Sequence, residues 1–97
     1  MKILHLTLKR KWYDMIESGI KREEYREIKP YWEIRLAHKK FDAVCFQNGY
    51  SKDARRMTWE VDCIVQSLGY PEWGAPEKQK VFVISLGKEF QTRKAIA

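Results

Sequence analysis

No run of this sequence stays apolar for the roughly 20 residues that a membrane-spanning helix needs, so a helical membrane protein is excluded. The opening Met-Lys-Ile-Leu-His-Leu alternates rather than forming the unbroken apolar core of a signal peptide, and the expected location is cytoplasmic. Cysteine is scarce. Cys45 and Cys63 are the only two, and neither has a second Cys or His at metal-ligand spacing, which argues against zinc or another metal. Both lie in apolar, strand-like runs and are expected as buried free thiols, although a disulfide between neighbouring strands stays open. The chain offers no Ser-His-Asp arrangement, no phosphate-cradling glycine loop, no internal repeat and no low-complexity segment, so nothing calls for a cofactor.

What is present is a 97-residue chain with 44% hydrophobic residues, enough for one folded domain over 1–97 with a modest core. Nineteen Lys and Arg stand against 13 Asp and Glu, giving a net charge of +6. That balance favours an anionic partner, for which nucleic acid is the usual candidate, and aromatics at 13% supply surfaces on which bases stack. A protein partner is neither implied nor excluded.

The hydrophobic pattern gives the order of elements. Lys2 to Lys9 alternates, with Leu4, Leu6 and Leu8 on one face, as in a half-buried strand; His5 lies on the other face and reads as structural. Arg10 to Ser18 reads as a short helix with Trp12, Met15 and Ile16 on one side. Its start carries Lys9, Arg10 and Lys11 where the helix dipole disfavours positive charge, and nothing caps it; a bound phosphate would relieve that conflict, as would simple exposure to water. Glu23 to Ile28 is a strand. Pro30 suits the first turn of a second helix running to about His38, with Tyr31, Ile34 and His38 on a shared face and Trp32 and Leu36 beside it. Phe41 to Phe46 reads as a central apolar strand ending in the turn Gln47-Asn48-Gly49-Tyr50. Met57 to Ser67 alternates most clearly, with Met57, Trp59, Val61, Cys63 and Val65 expected inside. Leu68 to Lys80, rich in Gly and Pro, is a loop able to fold over a cleft as a lid. Val81 to Leu86 is a last strand ended by Gly87, and 88–97 looks like a flexible basic tail. The expected fold class is α+β: a mainly antiparallel sheet curled into an open β-barrel with two short helices.

Two places carry candidate chemistry. Around Gly19 the sequence reads Gly-Ile-Lys-Arg-Glu-Glu-Tyr-Arg. Gly19 fits the position after a helix where a left-handed backbone favours glycine. Lys21 then falls in the turn, and Glu24 and Arg26, two apart, share one face of an extended segment. An amine, a carboxylate and a guanidinium held together can grip a polar, partly anionic ligand and shift each other's proton affinities. The second place is the loop after the third strand, where Asn48, Tyr50, Arg55 and Arg56 surround a glycine turn. An amide, a ring and two forked cations suit a base and its phosphate. Tyr31 is a further stacking candidate.

The spacing Gly19-x-Lys21-x-x-Glu24-x-Arg26 resembles the signature of the ASCH domain family, a branch of the PUA-like superfamily. The flanking order of strand, helix, signature and several strands extends that resemblance over essentially the whole chain. It implies a PUA-like open barrel with a cleft beside the signature that binds RNA or a nucleotide, and in some members hydrolyses an acetylated cytidine or RNA. For a binding module, Lys21 and Arg26 would contact phosphate or a polar base edge, Glu24 would orient Arg26 or accept a bond from an exocyclic amine, and Tyr31 or Tyr50 would stack. For a hydrolase, Lys21 would act as base or oxyanion partner and Glu24 would activate water, with Glu72 or Glu77 as alternatives. Relatives with amidohydrolase activity carry a hydroxyl residue in or just after the signature, whereas this chain reads Arg22-Glu23-Glu24-Tyr25 there. A third reading is a protein-interaction adaptor in which the charged turn is structural.

Overall fold

The computed structural model describes residues 1–90. Five strands and two helices follow in the order β1 (Ile3–Leu8), α1 (Arg10–Glu17), β2 (Glu23–Arg26), α2 (Pro30–Leu36), β3 (Ala43–Asn48), β4 (Arg56–Leu68) and β5 (Lys80–Glu89), with one 3-10 turn at Pro71–Trp73 between the last two. The fold is a small α+β half-barrel, and its single curled sheet has the order β1-β3-β4-β5-β2. Three pairings are antiparallel and one, β1 with β3, is parallel. β4 is thus the central strand, and β3, expected there, lies between it and β1. The two edge strands, β1 and β2, flank α1 in the chain, and the candidate chemistry collects near them.

Leu4, Leu6 and Leu8 of β1 point inward as their alternation requires, meeting Val44 and Phe46 of β3, Met57 and Trp59 of β4, and Phe82, Ile84 and Leu86 of β5. The helices close this core by faces that overlap only in part with those expected. In α1 the buried residues are Tyr13 and Ile16, while Trp12 and Met15 are only half-buried. In α2, Leu36 is buried and Trp32 packs against the core, whereas Tyr31, Ile34 and His38 face solvent. The helix ends at Leu36, two residues short of the one that would have completed the Tyr31-Ile34-His38 stripe.

The long strand β4 also departs from its pattern. Met57 and Trp59 are buried, but Cys63 is exposed and Val65 is 47% exposed. Val61 pairs with Leu86 and Cys63 with Ser85, so two steps along β4 match one along β5 and Asp62 is an extra, bulged residue. The bulge exchanges the faces: beyond it Ile64, opposite Ile84, turns to the core and Cys63 and Val65 turn away. Cys45 is half-buried, Cys63 is not buried, and both thiols are free. A second register shift lies between Trp59 and Val61, and Gly87 sits inside β5 there rather than ending it. Residues 88–89 continue the strand and the Phe90 N–H donates to the Thr58 carbonyl. The rest of the expected tail, 91–97, lies outside the described residues.

On the outer face a smaller cluster of Tyr25, Ala75, Val81 and Val83, with Trp73 against it, fixes the 68–80 loop to the sheet. The fit is close. A Cβ on Gly69 would stand 2.5 Å from Tyr25 Cε1, and one on Gly74, at φ +105°, would stand 3.0 Å from Trp12 Cζ2. Among the described residues no helix is long and apolar enough to cross a membrane, and no three His, Cys, Asp or Glu side chains are grouped to hold a metal ion.

Candidate nucleic-acid interface

α1 ends as Gly19 suggests. Ser18 is still helical, Gly19 takes φ +87°, its N–H donates to the Ile16 carbonyl, and the Lys21 N–H folds back to the Met15 carbonyl. This reversal drives the Lys21 side chain inward, beneath the 71–73 turn. Its ammonium is 1% exposed and donates to the Trp73 carbonyl at 2.5 Å. The rings of Tyr25 and Trp12 lie 4.6 and 5.1 Å from Nζ. Glu24 Oε1 stands 3.3 Å away, and Glu24 Oε2 is in turn 3.3 Å from Arg26 Nη2. Amine, carboxylate and guanidinium therefore form one chain in which Glu24, itself 7% exposed, balances a cation on each side. Burial pushes Lys21 below the ordinary lysine value, because desolvation penalises its charge by more than Glu24 restores.

Arg26 is the end of this chain that reaches an opening. Its Nη2 donates to the Thr7 carbonyl at 3.2 Å, an acceptor on the free edge of β1, so the side chain ties the two edge strands of the half-barrel together. Its guanidinium lies 5.0 Å from the centre of the Trp32 ring. Its Nε is buried and has no protein partner. Two adjoining hollows meet at this side chain. One, of about 240 Å³, is walled by His5, Thr7, Tyr31, Trp32 and Tyr50; the other, of about 320 Å³, by Thr7, Leu8, Lys9, Gly49 and Tyr50. Each lies near the lower end of the size range of small-ligand sites. The aromatic side of the cleft is polarised: Tyr31 meets Trp32 edge-on at 4.8 Å, and Arg35 covers the Tyr31 ring at 3.6 Å. Tyr50, 90% exposed, projects over both hollows from the left-handed turn at Gly49. Lys9 sits at the N-terminal end of α1, where no side chain caps the free N–H groups.

No family model, curated protein or solved structure matches the chain.

The residues singled out from sequence divide into three groups. Arg26, Tyr31 and Tyr50 meet in the cleft. Lys21 and Glu24 stand behind Arg26, buried. Asn48, Arg55 and Arg56 line neither hollow. Asn48 closes the 48–55 loop through a backbone bond between its N–H and the Arg55 carbonyl. Arg55 pairs with Glu17 of α1, and Arg56 donates to Gln47 Oε1 at 2.8 Å. Glu72 and Glu77 are exposed and also stand outside the cleft wall. Thr7 and Lys9 also wall the cleft, although neither was among the site residues named from sequence. The uncapped, cation-rich start of α1 was the signal available for Lys9; Thr7 contributes a backbone carbonyl, which no side-chain pattern reveals. A hollow of about 670 Å³ elsewhere is lined by Glu60, Asp62 and Glu89 as well as Arg22 and Lys88, and its acidic wall suits an anionic ligand poorly.

Proposed function

We propose that this chain is an ASCH-type, PUA-like domain that binds RNA or a modified nucleotide in the cleft between β1 and β2. The observation that carries the reading is Arg26, a guanidinium oriented by a buried carboxylate, backed by an indole and left with an unpartnered Nε, at the meeting point of two hollows. A base enters between Tyr50 and the Tyr31–Trp32 side, where stacking contributes about 1–3 kcal/mol and tolerates any base. Arg26 forks onto a polar base edge or a phosphate. Lys9 and the uncapped start of α1 favour the anionic end of the ligand in the hollow beside Leu8. Lys21 touches nothing outside the protein; it pairs with Glu24 and holds it in place, and Glu24 holds Arg26. The net charge of +6 supports association with a polyanion. Titrating Trp fluorescence with short single-stranded RNA tests this directly. Arg26→Ala and Tyr50→Ala each weaken binding by tenfold or more, and wild-type affinity falls steeply with salt. Wild-type affinity in both variants overturns the reading.

A second reading, hydrolysis of a nucleoside amide, draws on the lowered proton affinity of Lys21 beside Glu24. It requires the 69–75 segment to lift, because Lys21 is sealed under Trp73. Release of cytidine from N4-acetylcytidine, lost in Lys21→Ala, would establish it.

A further inference from the structure

The sheet has a second open border, far from the cleft in its chemistry. β3 accompanies β4 only from Arg56 to Glu60, and the last backbone bond on that side runs from the Val61 N–H to the Asp42 carbonyl. Beyond the Asp62 bulge, β4 continues to Leu68 paired to β5 alone. Among the described residues no backbone bond outside the β4–β5 ladder reaches residues 62–68, so one side of this strand presents unmatched N–H and C=O groups. Natural edges are usually blunted by lysine, proline or inward charge. From Cys63 to Leu68 this edge reads Cys-Ile-Val-Gln-Ser-Leu, with no charge and no proline.

The border is also grooved. Two hollows of about 680 and 210 Å³ run along it and share His38 and Ile64. Their far wall is the 36–42 segment, which leaves α2 through a left-handed His38 at φ +57°. The floor is apolar at Val61 and Ile64 of β4, and Phe41 adds an apolar ring to the wall. Of the charged side chains at the rim, Asp42, which accepts from the Lys2 backbone N–H at 2.7 Å, and Asp62 both stand at the end where β3 pairing stops. Lys39 and Lys40 remain, both exposed.

We propose that this edge of β4 is a docking site for an extended segment of a protein partner, which adds as a sixth strand. The unmatched backbone groups demand another peptide backbone rather than a helix or a nucleic acid. The apolar floor takes alternate side chains of that segment, and Lys39 and Lys40 favour acidic residues at the positions between. The site is independent of the cleft reading.

The test uses the whole protein and a capped heptapeptide of alternating Val and Glu, followed by amide hydrogen exchange. Three controls accompany it: the same peptide N-methylated at alternate residues, a Val/Lys heptapeptide, and a single-stranded RNA oligomer. The Val/Glu peptide binds and slows exchange at residues 62–68. N-methylation removes the peptide's donors and weakens binding at least tenfold, and the Val/Lys peptide binds at least tenfold more weakly. The double variant Lys39→Glu, Lys40→Glu, altered only at exposed positions, reverses the charge preference. The proposal fails if the N-methylated peptide binds equally or if protection appears away from 62–68. It fails equally if RNA protects this edge, or if protection grows with protein concentration alone, which would make a second copy of the chain the occupant.

Discussion

Glu24→Gln removes one charge and almost no volume, and it isolates what the buried carboxylate does. In the native chain Glu24 faces Lys21 on one side and Arg26 on the other, each at 3.3 Å, with both its own side chain and that of Lys21 more than nine-tenths buried. The variant leaves an ammonium in a dry site with the Trp73 carbonyl as its remaining close oxygen acceptor. Removing one partner of a buried pair costs about 3–5 kcal/mol, because the other charge stays desolvated. Glutamine keeps one acceptor oxygen, so the lower end applies, about 3 kcal/mol. A domain of this size loses about 4–8 °C per kcal/mol, so the thermal midpoint drops by more than ~10 °C, within a total stability of about 5–15 kcal/mol. Adding Lys21→Met to Glu24→Gln removes the orphaned charge and recovers most of the loss, a coupling readable from urea denaturation of the two singles and the double. A Glu24→Gln cost below 1 kcal/mol, or a double variant less stable than both singles, refutes the idea that Glu24 is the counter-ion holding this turn together.

Other expectations follow from the same coordinates. Lys21 releases its proton more readily folded than unfolded, so its contribution is fullest above its unfolded value of 10.5 and is lost as pH falls through the lowered folded value. Between those two values urea unfolding shows the wild type gaining stability relative to Lys21→Met. Tyr13 and Tyr25, raised above 10.0 chiefly by burial, act oppositely and cost stability in both proteins once pH passes about 10. Gly69→Ala places a methyl against the Tyr25 ring and Ala75, shifting the 69–75 segment and destabilising by about 1–3 kcal/mol in thermal denaturation. Arg55→Ala breaks a pair whose arginine is 67% exposed and moves stability by less than about 1 kcal/mol, which a denaturant midpoint checks.

Some of this was legible in the residues because local physics decided it. Alternation in β1 was dictated by one buried face, and Gly19 by a left-handed backbone that a β-carbon penalises. Glu24 and Arg26 met because two residues along a strand return to the same side. The misreadings share another cause: tertiary geometry overruled a local period. One extra residue at Asp62 exchanged the faces of β4, turning Cys63 and Val65 outward although their alternation was unbroken in sequence. In α2, Tyr31, Ile34 and His38 were spaced as an apolar stripe, yet the core lay on the side of Trp32 and Leu36, and Tyr31 was left free to form a cleft wall. Arg55 and Arg56 read as available in the sequence, but Glu17, 38 residues from Arg55 in the chain, and Gln47 engage them. A cleft beside the signature was implied by the resemblance alone; its walls could not be read from the residues, because they depend on β1 and β2 being the two edges of one curled sheet, and on a carbonyl of Thr7 that Arg26 reaches across the seam.

The most direct measurement of the central claim is the salt-dependent affinity of wild type, Arg26→Ala and Tyr50→Ala for one single-stranded RNA oligomer. The wild type binds with a steep salt slope. Tyr50→Ala loses tenfold or more with the slope unchanged, since a stacking ring releases no counterions, while Arg26→Ala loses affinity and, where it meets phosphate, about one unit of slope. Three identical isotherms at every salt concentration would contradict the account, because neither the guanidinium nor the exposed ring at the seam would then touch the ligand.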